Sequence, residues 1–252
     1  MGIVQDNKKP LVVLEQISLK LSDMERLIIK SLSFTLYEGD CVIVLGGNGS
    51  GKSSLIKLMN QTLKPTHGYV RLHGGCGTKK NAHQNIITLT QDMTHSLFYD
   101  LTVFENCLLW GLKNQPLSFK IQTTGERKYY TEYLKSYHPN LATKLDSPLR
   151  VLSGGEKQAL LLALCLHANP KVLLLDEHTS ALDPIQSAQM MQHTYECVMS
   201  KHITSVIITH NLNHALQFGN RLIALKDGVL VFEADGEEKQ ALKRHDLVRF
   251  CF

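Results

Sequence analysis

The residues Gly46-Gly47-Asn48-Gly49-Ser50-Gly51-Lys52-Ser53 fit the pattern G-x-x-x-x-G-K-[ST] and follow directly on the apolar run Cys41-Val42-Ile43-Val44-Leu45. Glycines at those positions let backbone N–H groups approach phosphate oxygens closely. Lys52 is placed to reach β- and γ-phosphates, and the Ser53 hydroxyl is a ligand for Mg²⁺. Ser54 to Met59 then reads as a helix whose free amides and positive dipole end point at the phosphates. Gly46, Asn48, Gly49, Ser50, Gly51, Lys52, Ser53 and Ser54 are therefore the candidate phosphate-binding residues.

Other apolar runs end on residues with complementary chemistry. Val172-Leu173-Leu174-Leu175 stops at Asp176-Glu177, and Ser205-Val206-Ile207-Ile208 stops at Thr209-His210. Asp176 is a candidate to hold Mg²⁺ through water, and Glu177 to take a proton from an attacking water as general base. His210 is a candidate to hydrogen-bond the γ-phosphate and position that water. Gln91, at the end of the run Ile86 to Thr90, is a candidate sensor of Mg²⁺ or of the nucleophile.

Several elements must position these groups. Leu11 to Leu21 alternates as a strand, Ser22 to Arg26 reads as a turn, and Leu27 to Tyr37 supplies another strand pair before Glu38-Gly39-Asp40. This predicts an antiparallel β-subdomain beside the phosphate site. Tyr69 to Leu72 resumes as strand, and Gly74 to Asn85 reads as a loop. From about Thr102 to Ala142 the apolar spacing turns helical, broken at Pro116 and Pro139, which marks an inserted helical subdomain over approximately residues 92–152. Ser153 is a plausible N-cap for a helix with the stripe Ala159, Leu162, Ala163 and Leu166. Helices from Pro184 to Met199 and Leu212 to Phe218, and a hairpin turned at Asp227-Gly228, complete a doubly wound α/β pattern, whose ligands lie at the carboxyl ends of strands.

The bulk properties narrow the class. A chain of 252 residues suits one α/β domain carrying an insertion. A formal net charge of +4, with no basic run interleaved with aromatics, argues against nucleic acid as a partner. The cysteines are scattered with no C-x-x-C pair, which speaks against a zinc ribbon or a disulfide framework, and the histidines form no H-E-x-x-H cluster. No apolar stretch approaches the roughly 20 residues that span a bilayer, and Met1 to Pro10 is too polar for a signal peptide. A protein soluble by itself is expected, with any membrane spans supplied by another subunit.

Leu152-Ser153-Gly154-Gly155-Glu156-Lys157-Gln158, in order with the P-loop, Gln91, Asp176-Glu177, Ser180-Ala181-Leu182-Asp183 and His210, resembles the signature sequence and accompanying motifs of ATP-binding-cassette (ABC) ATPases over nearly the whole chain. The resemblance implies a P-loop NTPase fold with a mainly parallel sheet, an antiparallel β-subdomain and an inserted α-helical subdomain. It implies ATP and Mg²⁺ as ligands and a head-to-tail dimer that traps two ATP molecules. Ser153, Gly154 and Gly155 would face the γ-phosphate held by Lys52 of the partner subunit, and Asp183 would communicate across the interface. The segment around Gln91 and Leu101 to Asn106, with Phe98, Leu101 and Phe104, is similar to the region where a membrane permease docks, although the same residues would also pack the helical subdomain.

Two departures from the family pattern stand out. The place of the aromatic residue that stacks on adenine falls to Leu21, and His178 replaces the proline after the catalytic glutamate. His178 is expected at the surface without a function. The run Asp176 to Pro184, with Gly219 to Leu222 and Gly236 to Lys239, resembles a bacterial import-type subgroup. That resemblance implies the ATPase subunit of an importer of a small nutrient such as an amino acid, working as a homodimer on the cytoplasmic face of the membrane with a separate permease and a substrate-binding protein. An export system, a soluble ABC ATPase of repair or translation and a regulatory module without turnover are the alternatives. The second lacks its usual coiled-coil insertion or second cassette here, and the third is disfavoured by Lys52, Ser53, Asp176, Glu177 and His210 all being present.

Overall fold

Short runs of leucine and β-branched residues form strands buried on both faces, and such strands pair in parallel. The structure, a computed structural model, describes residues 8–20, 26–73, 85–90, 97–114, 123–180 and 182–251. The chain divides into two units. One consists of Met1–Thr88, Pro170–Glu177 and Val198–Phe252, the other of Leu89–Asn169 and His178–Cys197.

In the first unit, β1 (Pro10–Leu19), β2 (Ile29–Tyr37) and β4 (His67–Leu72) form an antiparallel sheet in the order β2-β1-β4. The second sheet is ordered β5-β6-β7-β3-β8-β9, from β5 (Ile86–Leu89), β6 (Val172–Asp176), β7 (Thr204–Ile208), β3 (Cys41–Leu45), β8 (Arg221–Lys226) and β9 (Val229–Asp235). Its centre is parallel, with β3 between β7 and β8 and β6 beside β7, while β9 runs antiparallel to β8. The stretch Leu27 to Tyr37, expected to hold a strand pair, supplies instead the single strand Ile29–Tyr37, which pairs with β1. The hairpin turns at Asp227-Gly228, both with positive φ (50° and 79°), as its Asp-Gly dipeptide requires.

Alternate residues of the parallel strands, Val42 and Val44, Val172 and Leu174, Val206 and Ile208, Ile223 and Leu225, share one core with Leu55, Leu58 and Met59 of α1 (Lys52–Met59) and with the apolar face of β1. The helices α7 (Leu212–Gln217), α8 (Gly236–Ala241) and α9 (Arg244–Cys251) complete this unit.

The second unit is helical: α2 (Val103–Asn114), α3 (Thr123–Lys135), α4 (Pro139–Thr143), α5 (Gly154–His167) and α6 (Pro184–Ser200). Thr102 and Glu105 form a reciprocal cap at the start of α2, the Glu105 N–H donating to Thr102 Oγ1 (3.1 Å) and the Thr102 N–H to Glu105 Oε2 (2.8 Å). Pro139 opens α4 instead of only breaking the chain, because its fixed φ suits the first helical position and it needs no N–H there. Among the described residues, no helix is long and apolar enough to cross a membrane.

A buried ion pair joins the start of β3 to β8. Asp40 is fully buried, and Arg221 donates from Nη1 to Asp40 Oδ2 and to the Thr35 carbonyl (2.7 Å each) and from Nε to Glu233 Oε1 (2.8 Å). The guanidinium also lies 4.7 Å over the Phe34 ring. Without Arg221, the buried Asp40 carboxylate keeps, among the described residues, only the part-exposed Lys8 ammonium (3.2 Å) and the Tyr37 N–H (3.0 Å) as partners. Arg221→Met is therefore expected to lower the unfolding free energy by about 3–5 kcal/mol, measured by urea denaturation, with Arg221→Met/Asp40→Asn costing less than the sum of the single changes.

Candidate functional site

The order β6-β7-β3 sets three strand ends side by side, and each delivers part of the site. From β3 comes the glycine loop, from β6 the pair Asp176-Glu177, and from β7 His210.

The loop is shaped by its glycines and held from behind. Gly46 has φ 153°, and a Cβ there would overlap the Leu225 carbonyl oxygen. Gly51 is the N-cap of α1 with φ 101° and makes no side-chain cap; no acidic residue lies in the first turn of the helix. Its amide donors therefore face the loop in a field that favours an anion. Lys52 is buried and donates from Nζ to the carbonyls of Gly46 and Gly47, both at 2.9 Å, so its ammonium is gathered against the loop. Ser50 is buried, Asn48, Gly49 and Ser53 are exposed, and Ser54 is half-buried.

Asp176 is half-buried and hydrogen-bonded to the Ser53 side chain. Burial lifts its carboxyl above the usual carboxylate range; the Glu177 charge adds to this, and the Ser53 hydroxyl with the Lys52 and Lys57 ammoniums oppose it. Ser53 and Asp176 together are oxygen donors that fit Mg²⁺, an ion that takes few protein ligands and completes its shell with phosphates and water. Among the described residues, no group of three or more His, Cys, Asp or Glu side chains could hold a metal ion by itself.

Glu177 has φ 48°, a left-handed conformation that is uncommon outside glycine and turns its side chain out of the strand's alternation. Its Oε2 lies 3.9 Å from Nδ1 of His210. His210 is largely exposed, with 65% of its side chain accessible, on a turn fixed by the Asn211 N–H donating to Thr209 Oγ1 (3.1 Å) and the Thr209 N–H donating to the Val44 carbonyl (3.2 Å).

The second unit carries the remaining candidates. Ser153 caps α5: the Glu156 N–H donates to Ser153 Oγ (3.2 Å) and the Ser153 N–H to Glu156 Oε2 (2.9 Å). As Ser153 Oγ accepts from the helix, its own proton is left to be given outward. A Cβ at Gly154 would meet nothing within 4 Å, and at Gly155 only Gln186 and Leu182 side-chain atoms. Ser153 and Gly155 line a cavity of about 410 Å³ together with Tyr137, His138 and Gln186. Asp183 Oδ1 accepts from the Ile185 and Gln186 N–H groups (3.0 and 2.9 Å), which caps α6 locally.

Some expectations change. His178 is buried, 3% exposed, not a surface residue, because the turn after Glu177 folds its ring against α6. The Thr194 hydroxyl donates to the Met190 carbonyl (2.7 Å), so His178 Nε2, 3.1 Å from Thr194 Oγ1, is the donor there. Phe104 is buried against Tyr130 whereas Phe98 is 51% exposed, which leaves Phe98 and the half-buried Leu101 as the accessible part of the expected apolar wall. Gln91 and Leu21 lie outside the described residues.

One contributor was not foreseen as part of the site. The Gly228 N–H donates to the Ser50 carbonyl (3.2 Å), and the Gly228 carbonyl accepts from Lys30 N–H (2.8 Å), so the β8–β9 turn clasps the glycine loop to β2. The Asp-Gly dipeptide signals the turn; only the fold shows that it lies beneath the loop.

Residues 29–180 match the family described as ABC transporter. The tyrosine transport ATP-binding protein of Clostridioides difficile is 34% identical over 88% of this chain and 89% of that protein. The energy-coupling factor transporter ATP-binding protein EcfA2 of Bacillus licheniformis is 30% identical over 88% of this chain and 76% of its own length. Among solved structures, cbiO1 from Clostridium perfringens, part of the ABC transporter complex cbiONQ, is similar with a TM-score of 0.77 at 26% identity, covering 95% of each chain. A dimeric post-hydrolysis state of the ATP-binding cassette MJ0796, bound to ADP and Pi, has a TM-score of 0.73 at 27% identity over 89% of this chain and 98% of that one.

A Cβ on Gly228, at φ 79°, would overlap the Ile28 carbonyl. Gly228→Ala is therefore expected to weaken nucleotide binding at least tenfold, about 1.4 kcal/mol, in a fluorescent-nucleotide titration, while Asp227→Asn, which keeps a residue tolerant of the left-handed turn, binds as the parent does.

Proposed function

The chain belongs to the ABC transporter family and is an ATP-hydrolysing cassette of it; from that premise we propose that it powers import of a small nutrient through a separate membrane permease. It works as a homodimer at the cytoplasmic face of the membrane. An amino acid is the substrate class that the likeness to a tyrosine transport protein favours. A substrate-binding protein completes the system.

The observation that carries the catalytic reading is the convergence of the glycine loop, Asp176-Glu177 and His210 on neighbouring strand ends. The loop amides, the end of α1 and Lys52 hold the β- and γ-phosphates, with Asn48 and Ser50 shaping the cradle and Ser54 adding an amide of the first turn. Ser53 and Asp176, with Gln91, would hold Mg²⁺, which would supply positive charge against the phosphate oxygens. Glu177 accepts a proton from water as the water oxygen bonds to the γ-phosphorus, and the bond to the leaving ADP oxygen breaks with its electron pair. His210 orients that water and the γ-phosphate.

Ser153, Gly154 and Gly155 close over the γ-phosphate bound to the partner subunit's copy of the loop, and Asp183 lies at the same interface. The likeness to a dimeric cassette with bound ADP and Pi supports this arrangement. ATP then holds two protomers together, and loss of the γ-phosphate lets them part.

Glu177→Gln keeps the shape and removes the base. Turnover is expected to fall by about 10²–10⁴-fold in a phosphate-release assay while ATP binding and ATP-dependent dimerisation persist; hydrolysis at the parent rate would overturn the assignment. Affinity capture from gently solubilised native membranes is expected to bring down a multi-span permease, whereas ribosomal or DNA-repair proteins without a membrane chain would exclude transport.

A further inference from the structure

Glu156 sets an electrostatic problem at the signature turn. Its side chain is needed for the cap, where Oε2 accepts the Ser153 N–H at 2.9 Å, yet it places a carboxylate, only 4% exposed, at the helix end assigned above to the γ-phosphate. An uncompensated negative charge beside a bound anion repels it, the more so where water is scarce. The structure holds a counterion for it: Lys144, just after α4, donates from Nζ to Glu156 Oε1 at 2.6 Å. The Asn140 side chain binds the same carboxyl.

We propose that Lys144 is a positioning residue that neutralises Glu156, so that the turn Ser153–Gly155 can take up the γ-phosphate bound to a second copy of the chain. This rests on the dimer reading above. Lys144 does not touch the nucleotide in this scheme; it acts through Glu156, by cancelling its charge and by holding it against the Ser153 N–H. Burial pushes the Glu156 carboxyl up, but the Lys144 ammonium, the Ser153 N–H and Asn140 outweigh it and hold it down at about 2, so the charge is present at neutral pH and has to be balanced. The Lys144 side chain remains 35% exposed, so its truncation exposes the carboxylate to some water without opening the core.

The test uses the full chain in the Glu177→Gln background, where hydrolysis does not deplete ATP, and reads dimer affinity by sedimentation velocity with saturating MgATP. The net charge of the pair sets the expected order. Glu156→Gln, which retains the cap because glutamine also accepts the Ser153 N–H, dimerises more tightly than the background. Lys144→Met dimerises at least tenfold more weakly, with the gap narrowing as salt rises. Lys144→Met/Glu156→Gln returns to within about twofold of the background.

Nucleotide affinity of the monomer stays level across the series, since the loop that binds it is on the other unit. A merely structural role for the pair gives no gain from Glu156→Gln and no salt dependence. Either of those results, or a double variant as weak as Lys144→Met, overturns the proposal. A background protein that stays monomeric with MgATP sinks the dimer reading itself, a result distinct from a dimer that forms equally well in every variant.

Discussion

A loop that turns its amides outward to hold phosphate gives up the hydrogen bonds that would otherwise hold the loop together, so its shape has to be imposed from behind. In this chain the support comes from three directions. The loop leaves a strand buried along its whole length, Cys41–Leu45. The Leu225 carbonyl fits closely behind Gly46, and the Gly228 N–H meets the Ser50 carbonyl. Ile29 packs so near Gly51 that a Cβ there would sit 2.7 Å from its Cδ1. The antiparallel sheet and the β8–β9 hairpin thus serve the chemistry without contributing a reacting atom.

The same constraint explains Lys52. An ammonium brought beneath a phosphate site is costly to bury unless it is hydrogen-bonded, and the carbonyls of Gly46 and Gly47 satisfy it while closing the loop upon itself. Asp176 and Glu177 are adjacent carboxylates, and burial first, with the Glu177 charge adding to it, lifts the Asp176 carboxyl above the usual range despite the Ser53 hydroxyl and two lysines. A site assembled this way has negative charge waiting for a cation and amides waiting for an anion.

What could be read in the sequence was what the sequence encodes locally. The glycine loop, the strand ends at Asp176 and His210, the Ser153 cap and the Asp227-Gly228 hairpin each depend on residues a few positions apart, where periodicity, capping preference and turn chemistry operate. The misses all depend on distant partners. His178 follows an acidic pair and looks like part of a solvated turn, but Thr194, sixteen residues on, receives its ring. Asp40 closes a tight turn and resembles any turn aspartate until Arg221 reaches it across 181 positions. Gly228 explains its own hairpin without any reference to Ser50. Residues with a complete local explanation conceal a second, tertiary role.

Glu156 belongs to that class, and it shows why such double roles cluster at functional sites. A capping box is a local device: Ser153 and Glu156 would form it in any helix that began this way. If that helix end receives an anion, as proposed, the carboxylate that perfects the cap opposes the ligand, because the dipole and the carboxylate act on an anion with opposite signs. A neutral cap would remove the conflict. Here the chain keeps the charge and adds Lys144 from the end of a preceding helix. The ion pair is half open to solvent on the lysine side, so its balance responds to what approaches. On the proposal above, a turn held neutral by a counterion on another segment, instead of by an uncharged residue, makes its affinity for an anion depend on a side chain outside the turn itself.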